Sequence, residues 1–137
     1  MQLVLDTNEY LFTFGPSPEK YSQELLELIA SEPEIYRLRI SRTIVEEIRR
    51  NVAPQDFKKI WAFLDALEIR VDEDWEIPFE LGAKYEALGL KRGDAFIAAY
   101  TEWAGAKHLI TENRDFMALH RLAFEVIRAE KFLAQHK

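Results

Sequence analysis

The sequence predicts an α/β fold, a single domain over residues 1–137 with a parallel β-sheet and helices on both of its faces. Short apolar runs alternate with longer segments of helical periodicity, which is the pattern of βαβ units. The first run, residues 3–5, is apolar throughout, as expected of a strand that is buried on both faces of a sheet. It ends at Asp6, a residue type that disfavours strands.

Five strands are predicted along the chain. Each is a short apolar run bounded by polar or turn residues, and longer helical patterns separate them. The runs cover about residues 2–6, 36–41, 68–72, 107–111 and 124–128.

The first helices after the opening strand are predicted from their start signals. Ser17 is the predicted N-cap of one helix, with Pro18 at its first position. Thr43 is predicted to start the next helix, and Pro54 the one after it.

The second half of the chain has similar signals. Residues 77–88 form a helical pattern. Asp94 is predicted to open an apolar helix that runs through Trp103 and is closed by Gly105. The tail, residues 129–137, is predicted to be one more short helix.

The composition limits the classes of function. The 24 acidic and 18 basic side chains give a net charge of −6, which argues against a simple basic nucleic-acid-binding protein. They do not exclude a nuclease, because a carboxylate metal site is negative until its cation binds. The absence of cysteine excludes disulfides, thiolate metal sites and cysteine nucleophiles. No apolar run approaches membrane length, and we expect a soluble, cytoplasmic protein.

Two kinds of side chain are candidates for contact with a nucleic acid. Most basic pairs are predicted to lie on solvated helix faces, whereas Arg42 and Arg92, beside candidate acids, are the better candidates for phosphate contact. Phe57, Trp61 and Phe63 recur at helical spacing, and we predict that they belong to the core rather than to a base-stacking platform.

Polar residues near strand ends and helix starts are the candidates for chemistry. The carboxyl ends of parallel strands open into the ligand crevice, so Asp6 lies where a functional side chain is expected. Its alternative role is that of a helix N-cap or turn residue. Three later segments add acids or amides at similar places: residues 40–48, 92–100 and 108–116.

Together and in this order, the segments resemble those of PIN-domain proteins, in particular the VapC-type ribonuclease toxins. The shared motifs are a strand followed by Asp-Thr-Asn, a Ser before a helix that carries Glu, Gly-Asp-Ala-x-Ile-Ala-Ala, and Ile-Thr-x-Asn-x-Asp-Phe. The resemblance implies a PIN-like fold and hydrolysis of RNA by water activated by Mg²⁺ or Mn²⁺. It further implies the toxin of a toxin–antitoxin pair, with an antitoxin protein as partner and a homodimer. PIN domains also serve in RNA processing, and the sequence leaves this alternative role open.

The resemblance also assigns roles to individual residues. Asp6, Glu47 and Asp94 match acids of the family that act in catalysis and hold the metal. Glu46 competes with Glu47 for its position. Helical periodicity favours Glu47, which lies three residues after Ile44 and therefore near the inward edge of the helix.

The fourth position departs from the family pattern, because Asn113 stands where an acid is common. Its amide oxygen can ligate a metal ion but adds no charge. Asp115, two residues later, is the alternative catalytic acid, and weaker binding of a single metal is the other alternative. Asn8 and Thr111 match polar positions that orient carboxylates or water.

Two other functions remain open. A haloacid-dehalogenase-like phosphatase also begins with a strand that ends in Asp, but it needs a second acid two residues later, where this chain has Asn8. A PIN-fold module that binds RNA or protein without cleavage is compatible with Asn113. RNA affinity without a metal-dependent product would identify such a module.

Overall fold

The chain folds around a five-stranded parallel β-sheet, and the computed structural model describes residues 1–136. The strands are β1 (Gln2–Leu5), β2 (Arg37–Ser41), β3 (Val71–Asp72), β4 (His108–Ile110) and β5 (Glu125–Ile127). Their order across the sheet is β3-β2-β1-β4-β5. Each strand lies within a predicted range and all pairs are parallel, so the predicted sheet is confirmed.

Helices connect consecutive strands, and one more helix follows the last strand. They are α1 (Thr7–Phe14), α2 (Lys20–Ser31), α3 (Arg42–Asn51), α4 (Pro54–Ala66), α5 (Phe79–Ala87), α6 (Arg92–Trp103), α7 (Arg114–Met117) and α8 (Ala129–His136). A short 3₁₀ turn, Asp74–Glu76, follows β3. Gly105 follows α6 with a φ of +68°, the left-handed conformation that ends helices and that glycine adopts without strain.

The central strand explains both the core and the position of the site. Its three last residues, 3–5, are completely buried, as the unbroken apolar run predicts. Leu5 pairs with Ile110 of β4, so the residues that follow them, Asp6 and Thr111, lie side by side at the carboxyl edge of the sheet. Because β2 and β4 flank β1 on opposite sides, this edge is the switch point at which parallel sheets bind ligands.

The start of α2 differs from the prediction. The helix begins at Lys20 rather than at Pro18, and its N-cap is Glu19 rather than Ser17. The Glu19 N–H donates to the Phe12 carbonyl at 2.6 Å, which ties the preceding turn back to α1. Helical geometry therefore starts only after this bond.

Two other helices begin earlier than predicted. Ser41 caps α3 by accepting a hydrogen bond from the Ile44 N–H at 3.4 Å, so the helix starts at Arg42, one residue before the predicted start. The helix that carries Asp94 begins at Arg92, and Asp94 occupies its third position. Asp94 is therefore not the N-cap of α6, and its carboxylate is available for other contacts.

The prediction for the aromatic residues of α4 was wrong for one of them. Ile60 and Leu64 form the buried side of this helix, whereas Trp61 is 44% exposed. Phe63 packs against Phe14 with ring centroids 5.8 Å apart, as expected of a residue at the edge of the core. Trp61 points past that edge because it follows Ile60 directly in the helix.

Candidate active site at the carboxyl edge of the sheet

Asp6 is both a helix cap and a member of the polar cluster at the sheet edge. Its backbone N–H donates to the Ile110 carbonyl at 2.9 Å, which fixes its position beside β4. One carboxylate oxygen, Oδ1, caps α1 by accepting from the Thr7 N–H at 2.8 Å. The other, Oδ2, accepts from the Thr111 hydroxyl at 2.7 Å. The two roles that the sequence leaves open for Asp6 are thus compatible.

Glu47 reaches the same cluster from α3. The Thr7 hydroxyl donates to its Oε2 at 2.7 Å, so Thr7 holds Asp6 through its backbone and Glu47 through its side chain. Glu46 instead faces Arg49 on the helix surface, with Oε1 and the guanidinium 3.4 Å apart. The structure thus has the predicted orientation of the two glutamates, and the catalytic role of Glu47 stays a prediction.

Asp94 and Asn113 are joined by a side-chain hydrogen bond. The Asn113 amide nitrogen donates to Asp94 Oδ2 at 3.3 Å. The amide oxygen of Asn113 caps α7 by accepting from the Asp115 N–H at 2.9 Å, and the Asn113 N–H donates to the Thr111 hydroxyl at 3.0 Å. Asn113 therefore presents a donor to Asp94, a geometry that positions the carboxylate.

The other predicted residues lie at different distances from this cluster. Thr111 is completely buried at its centre, whereas Asn8 is exposed on the first turn of α1. Asp115 is exposed, and its backbone N–H donates to the side-chain oxygen of Asn113. Arg92 is exposed near the start of α6. Arg42 is engaged by Glu73 at 2.8 Å, which leaves it less available for phosphate than predicted.

The electrostatics of the cluster favour a cation. Burial raises the pKa of the Asp6 carboxyl, hydrogen bonds from Thr111 and Thr7 oppose this, and the charges of Asp94 and Glu47 raise it further. Both charged neighbours that shift this pKa are acids, so they repel the Asp6 carboxylate instead of neutralising it. Carboxylate and hydroxyl oxygens are donors that suit Mg²⁺ or Mn²⁺.

The carboxylates do not close into a metal cage. Within residues 1–136, no three acidic or histidine side chains lie close enough together to hold a metal ion. The oxygen donors of the cluster nevertheless suit a hard divalent cation.

Glu9 is a site-adjacent acid that the sequence reasoning missed. Its side chain is completely buried, and Oε1 accepts from the Ser22 hydroxyl at 3.1 Å. Burial, a hydrogen bond with the Glu112 carboxylate and the Glu112 charge raise the pKa of Glu9 to about 9. Glu112 lies between Thr111 and Asn113 in sequence, so this pair braces the loop that carries them. The available signal was an acid three residues after Asp6, on the same face of any helix that starts there.

The parallel α/β fold agrees with the family comparison. The family model for the PIN domain matches residues 3–124, and the chain belongs to this family. This membership leaves the haloacid-dehalogenase alternative without support.

Two solved structures show the same fold. VapBC2 from Rickettsia felis, bound to a DNA fragment from its promoter, superposes with a TM-score of 0.66 at 20% identity, over 92% of this chain and 97% of that chain. FitAcB from Neisseria gonorrhoeae gives a TM-score of 0.63 at 18% identity, over 93% and 98%. The comparison with curated proteins gives no match. In residues 1–136 no helix is long and apolar enough to cross a membrane.

The two glutamates of α3 give a direct test of the site. A catalytic role for the cluster predicts that Glu47→Gln lowers nuclease activity by about tenfold or more, because this carboxylate bonds to Thr7 at the centre of the cluster. Glu46→Gln, the matched control, is expected to change the rate less than twofold, since surface ion pairs contribute little. Single-turnover RNA cleavage measures both variants. The opposite order would assign the site to Glu46.

Proposed function

We propose that this PIN-domain protein is a metal-dependent endoribonuclease that hydrolyses RNA phosphodiester bonds. The observation that carries the proposal is the cluster of Asp6, Glu47 and Asp94 at the switch point of the sheet. The charges of Glu47 and Asp94 raise the pKa of Asp6 instead of neutralising its carboxylate. Such an arrangement costs stability in the free protein, so it is expected to serve a cationic ligand.

The chain's own residues orient the three carboxylates. Thr111 holds Asp6, Thr7 holds Glu47, and Asn113 holds Asp94, each through one hydrogen bond to one carboxylate oxygen. The second oxygens of Glu47 and Asp94 are the ones available for an ion. When bound, a divalent cation would offset the phosphate charge and make water a better nucleophile.

The biological role that we propose is that of the toxin in a toxin–antitoxin pair. The likeness to VapBC2, whose structure contains promoter DNA, supports this role, as do the motifs shared with VapC-type toxins. An antitoxin protein and a second copy of this chain are the proposed partners.

Purified protein incubated with a mixed RNA pool tests the proposed activity. Cleavage should require Mg²⁺ or Mn²⁺, stop on chelation, and stop in the Asp94→Asn variant. A growth arrest on expression, absent for Asp94→Asn, tests the toxin role separately. RNA cleavage without growth arrest would support the nuclease activity and contradict the toxin role.

A second candidate is a PIN module that binds RNA without cleaving it. Asn113 favours this candidate, because the family's fourth acid is replaced by an amide that is already used to cap α7. Metal-independent RNA affinity with no product under any metal condition would identify it.

Asn113→Asp is expected to make the site more dependent on metal. The new carboxylate removes the donor to Asp94 and adds a like charge beside it, so the melting temperature in chelator should fall by several degrees. Saturating Mn²⁺ should restore the lost stability. The rise in melting temperature that Mn²⁺ causes should therefore be larger for the variant than for the wild type. Thermal melts with chelator and with Mn²⁺ measure this.

Gln55→Glu, which adds the same charge at an exposed position of α4, is the control. Its melting temperature should match that of the wild type both in chelator and with Mn²⁺.

A second experiment tests the role of the exposed Asp115. If Asp115 compensates for the missing fourth acid, Asp115→Asn should reduce cleavage in the wild type and much less in the Asn113→Asp background. Additive effects would show that Asp115 acts outside the site.

A further inference from the structure

An aromatic pair lies on α4, with Phe57 half-buried at the edge of the core and Trp61 exposed. The rings of Phe57 and Trp61 are stacked, with centroids 6.2 Å apart and planes inclined by 29°, and Trp61 is 44% exposed. The guanidinium of Arg49, on α3, lies 6.0 Å from the centre of the Phe57 ring. Bases of a single-stranded nucleic acid stack on open aromatic faces such as that of Trp61, and nearby arginines add cation–π attraction.

The charge around this pair has the sign that a polyanion requires. Residues 49–61 contain four basic side chains and one acid, although the whole chain has a net charge of −6. Arg50 and Lys58 are exposed. Arg49 pairs with Glu46 at 3.4 Å, but its side chain is 63% exposed, and such a surface pair yields readily to a phosphate.

The same helix connects this surface with the candidate active site. Glu47 lies on α3, and Arg50 follows it by three residues, so the two side chains project from one face of the helix. A strand that leaves the carboxylate cluster along α3 would therefore meet Arg50 before the aromatic residues of α4.

We propose that Arg49, Arg50, Phe57, Lys58 and Trp61, here called the α3–α4 platform, bind single-stranded RNA next to the active site. Bases stack on Trp61 and Phe57, and the basic side chains contact the phosphates. This proposal rests on the proposed nuclease function and adds a second contact region for its substrate.

Two other exposed aromatic residues, Trp75 and Phe79, show why RNA is assigned to the α3–α4 platform rather than to their own surface. Trp75 and Phe79 are more exposed, at 81% and 84%, but they lie in a segment with four acids between residues 73 and 80 and no basic side chain. Phosphates would be repelled there. Exposed aromatic rings and positive charge coincide at the α3–α4 platform.

Binding of RNA in chelator tests the platform without any need for cleavage. The probe is a fluorescein-labelled single-stranded RNA of mixed sequence, about 12 nucleotides long, followed by anisotropy with the full chain. Trp61→Ala should weaken binding about tenfold, as expected for the loss of one stacked base. Trp61→Phe should restore most of the affinity, and Arg50→Gln should reduce the salt dependence by about one counterion. Trp75→Ala is the matched control and should bind as the wild type does.

The outcomes separate the platform from the nuclease activity. Wild-type RNA affinity in both Trp61→Ala and Arg50→Gln would overturn the platform, and metal-dependent cleavage in the same variants would leave the proposed function standing. Equal losses of RNA affinity in Trp61→Ala and Trp75→Ala would also overturn the platform. Loss of binding to a labelled polyglutamate peptide, with RNA affinity unchanged, would assign the surface to an acidic protein segment instead.

Discussion

Asp94→Asn is expected to lower metal-dependent RNA cleavage by about a thousandfold, which corresponds to several kcal/mol of lost transition-state stabilisation. Asparagine keeps the size of the side chain and an oxygen that can accept the hydrogen bond from Asn113, at 3.3 Å in the wild type. It removes the negative charge that faces Asp6. The change therefore tests charge at this position with little change in shape, and single-turnover kinetics at saturating Mn²⁺ measure it.

The fold should survive this substitution. Asp94 occupies the third position of α6 and does not cap the helix, so the helix keeps its start. Removing one of the repelling charges should leave the melting temperature in chelator equal or higher. Asp65→Asn, the same substitution at an exposed position of α4, is the control and should cleave normally. Near wild-type cleavage by Asp94→Asn would remove Asp94 from the catalytic site.

The parallel sheet could be predicted because its strands are marked by composition alone. Residues 3–5 are all apolar and completely buried. The strand could therefore be predicted without deciding which of its faces packs against the core. α1 was not predicted, because it follows β1 with only Asp6 between them and begins with three polar residues. α7 has four residues, too few for any periodicity to appear.

The site was predictable only where chain order fixes neighbours. Leu5 and Ile110 end paired strands, so a parallel register brings Asp6 and Thr111 together. The bond between Thr7 and Glu47 spans 40 positions and depends on how α3 crosses α1. No local pattern encodes such a crossing.

Long-range pairing also explains why one predicted phosphate contact is weakened. Arg42 lies beside a candidate acid in sequence, yet its partner is Glu73, 31 positions away. The segment after β3 returns to the start of α3, where Asp74 also accepts from the Thr43 N–H at 3.0 Å. This return of the chain is a property of the sheet order and not of the residues around Arg42.

Glu9→Gln is expected to stabilise the protein, and the gain should grow with pH. In the folded state, burial, together with the hydrogen bond and charge of Glu112, raises the pKa of Glu9 to about 9, against 4.5 as the ordinary value. Between these values the folded chain keeps a proton that the unfolded chain has lost. The free energy of unfolding of the wild type therefore falls as pH rises from 4.5 towards 9.

Glutamine is neutral at every pH and can replace the protonated carboxyl as a donor to Glu112. An ionised Glu9 would place a second negative charge beside Glu112 at a buried position, where like charges repel. The variant avoids the cost of retaining the proton, which is on the order of 3 kcal/mol at pH 7 for a shift of this size. The two proteins should have equal stability near pH 4, where Glu9 is protonated in both states.

Urea unfolding of wild type and Glu9→Gln at a series of pH values measures the difference directly. Glu27→Gln, at an exposed position of α2, is the control and should follow the wild-type curve. Glu112→Gln should flatten the pH dependence of the wild type, because it removes the charge that helps to hold the proton on Glu9. A Glu9→Gln variant that is less stable than wild type at pH 8 would show that Glu9 is ionised in the folded protein. In that case the buried carboxylate would need a cation, and Glu9 would join Asp6 as a candidate ligand.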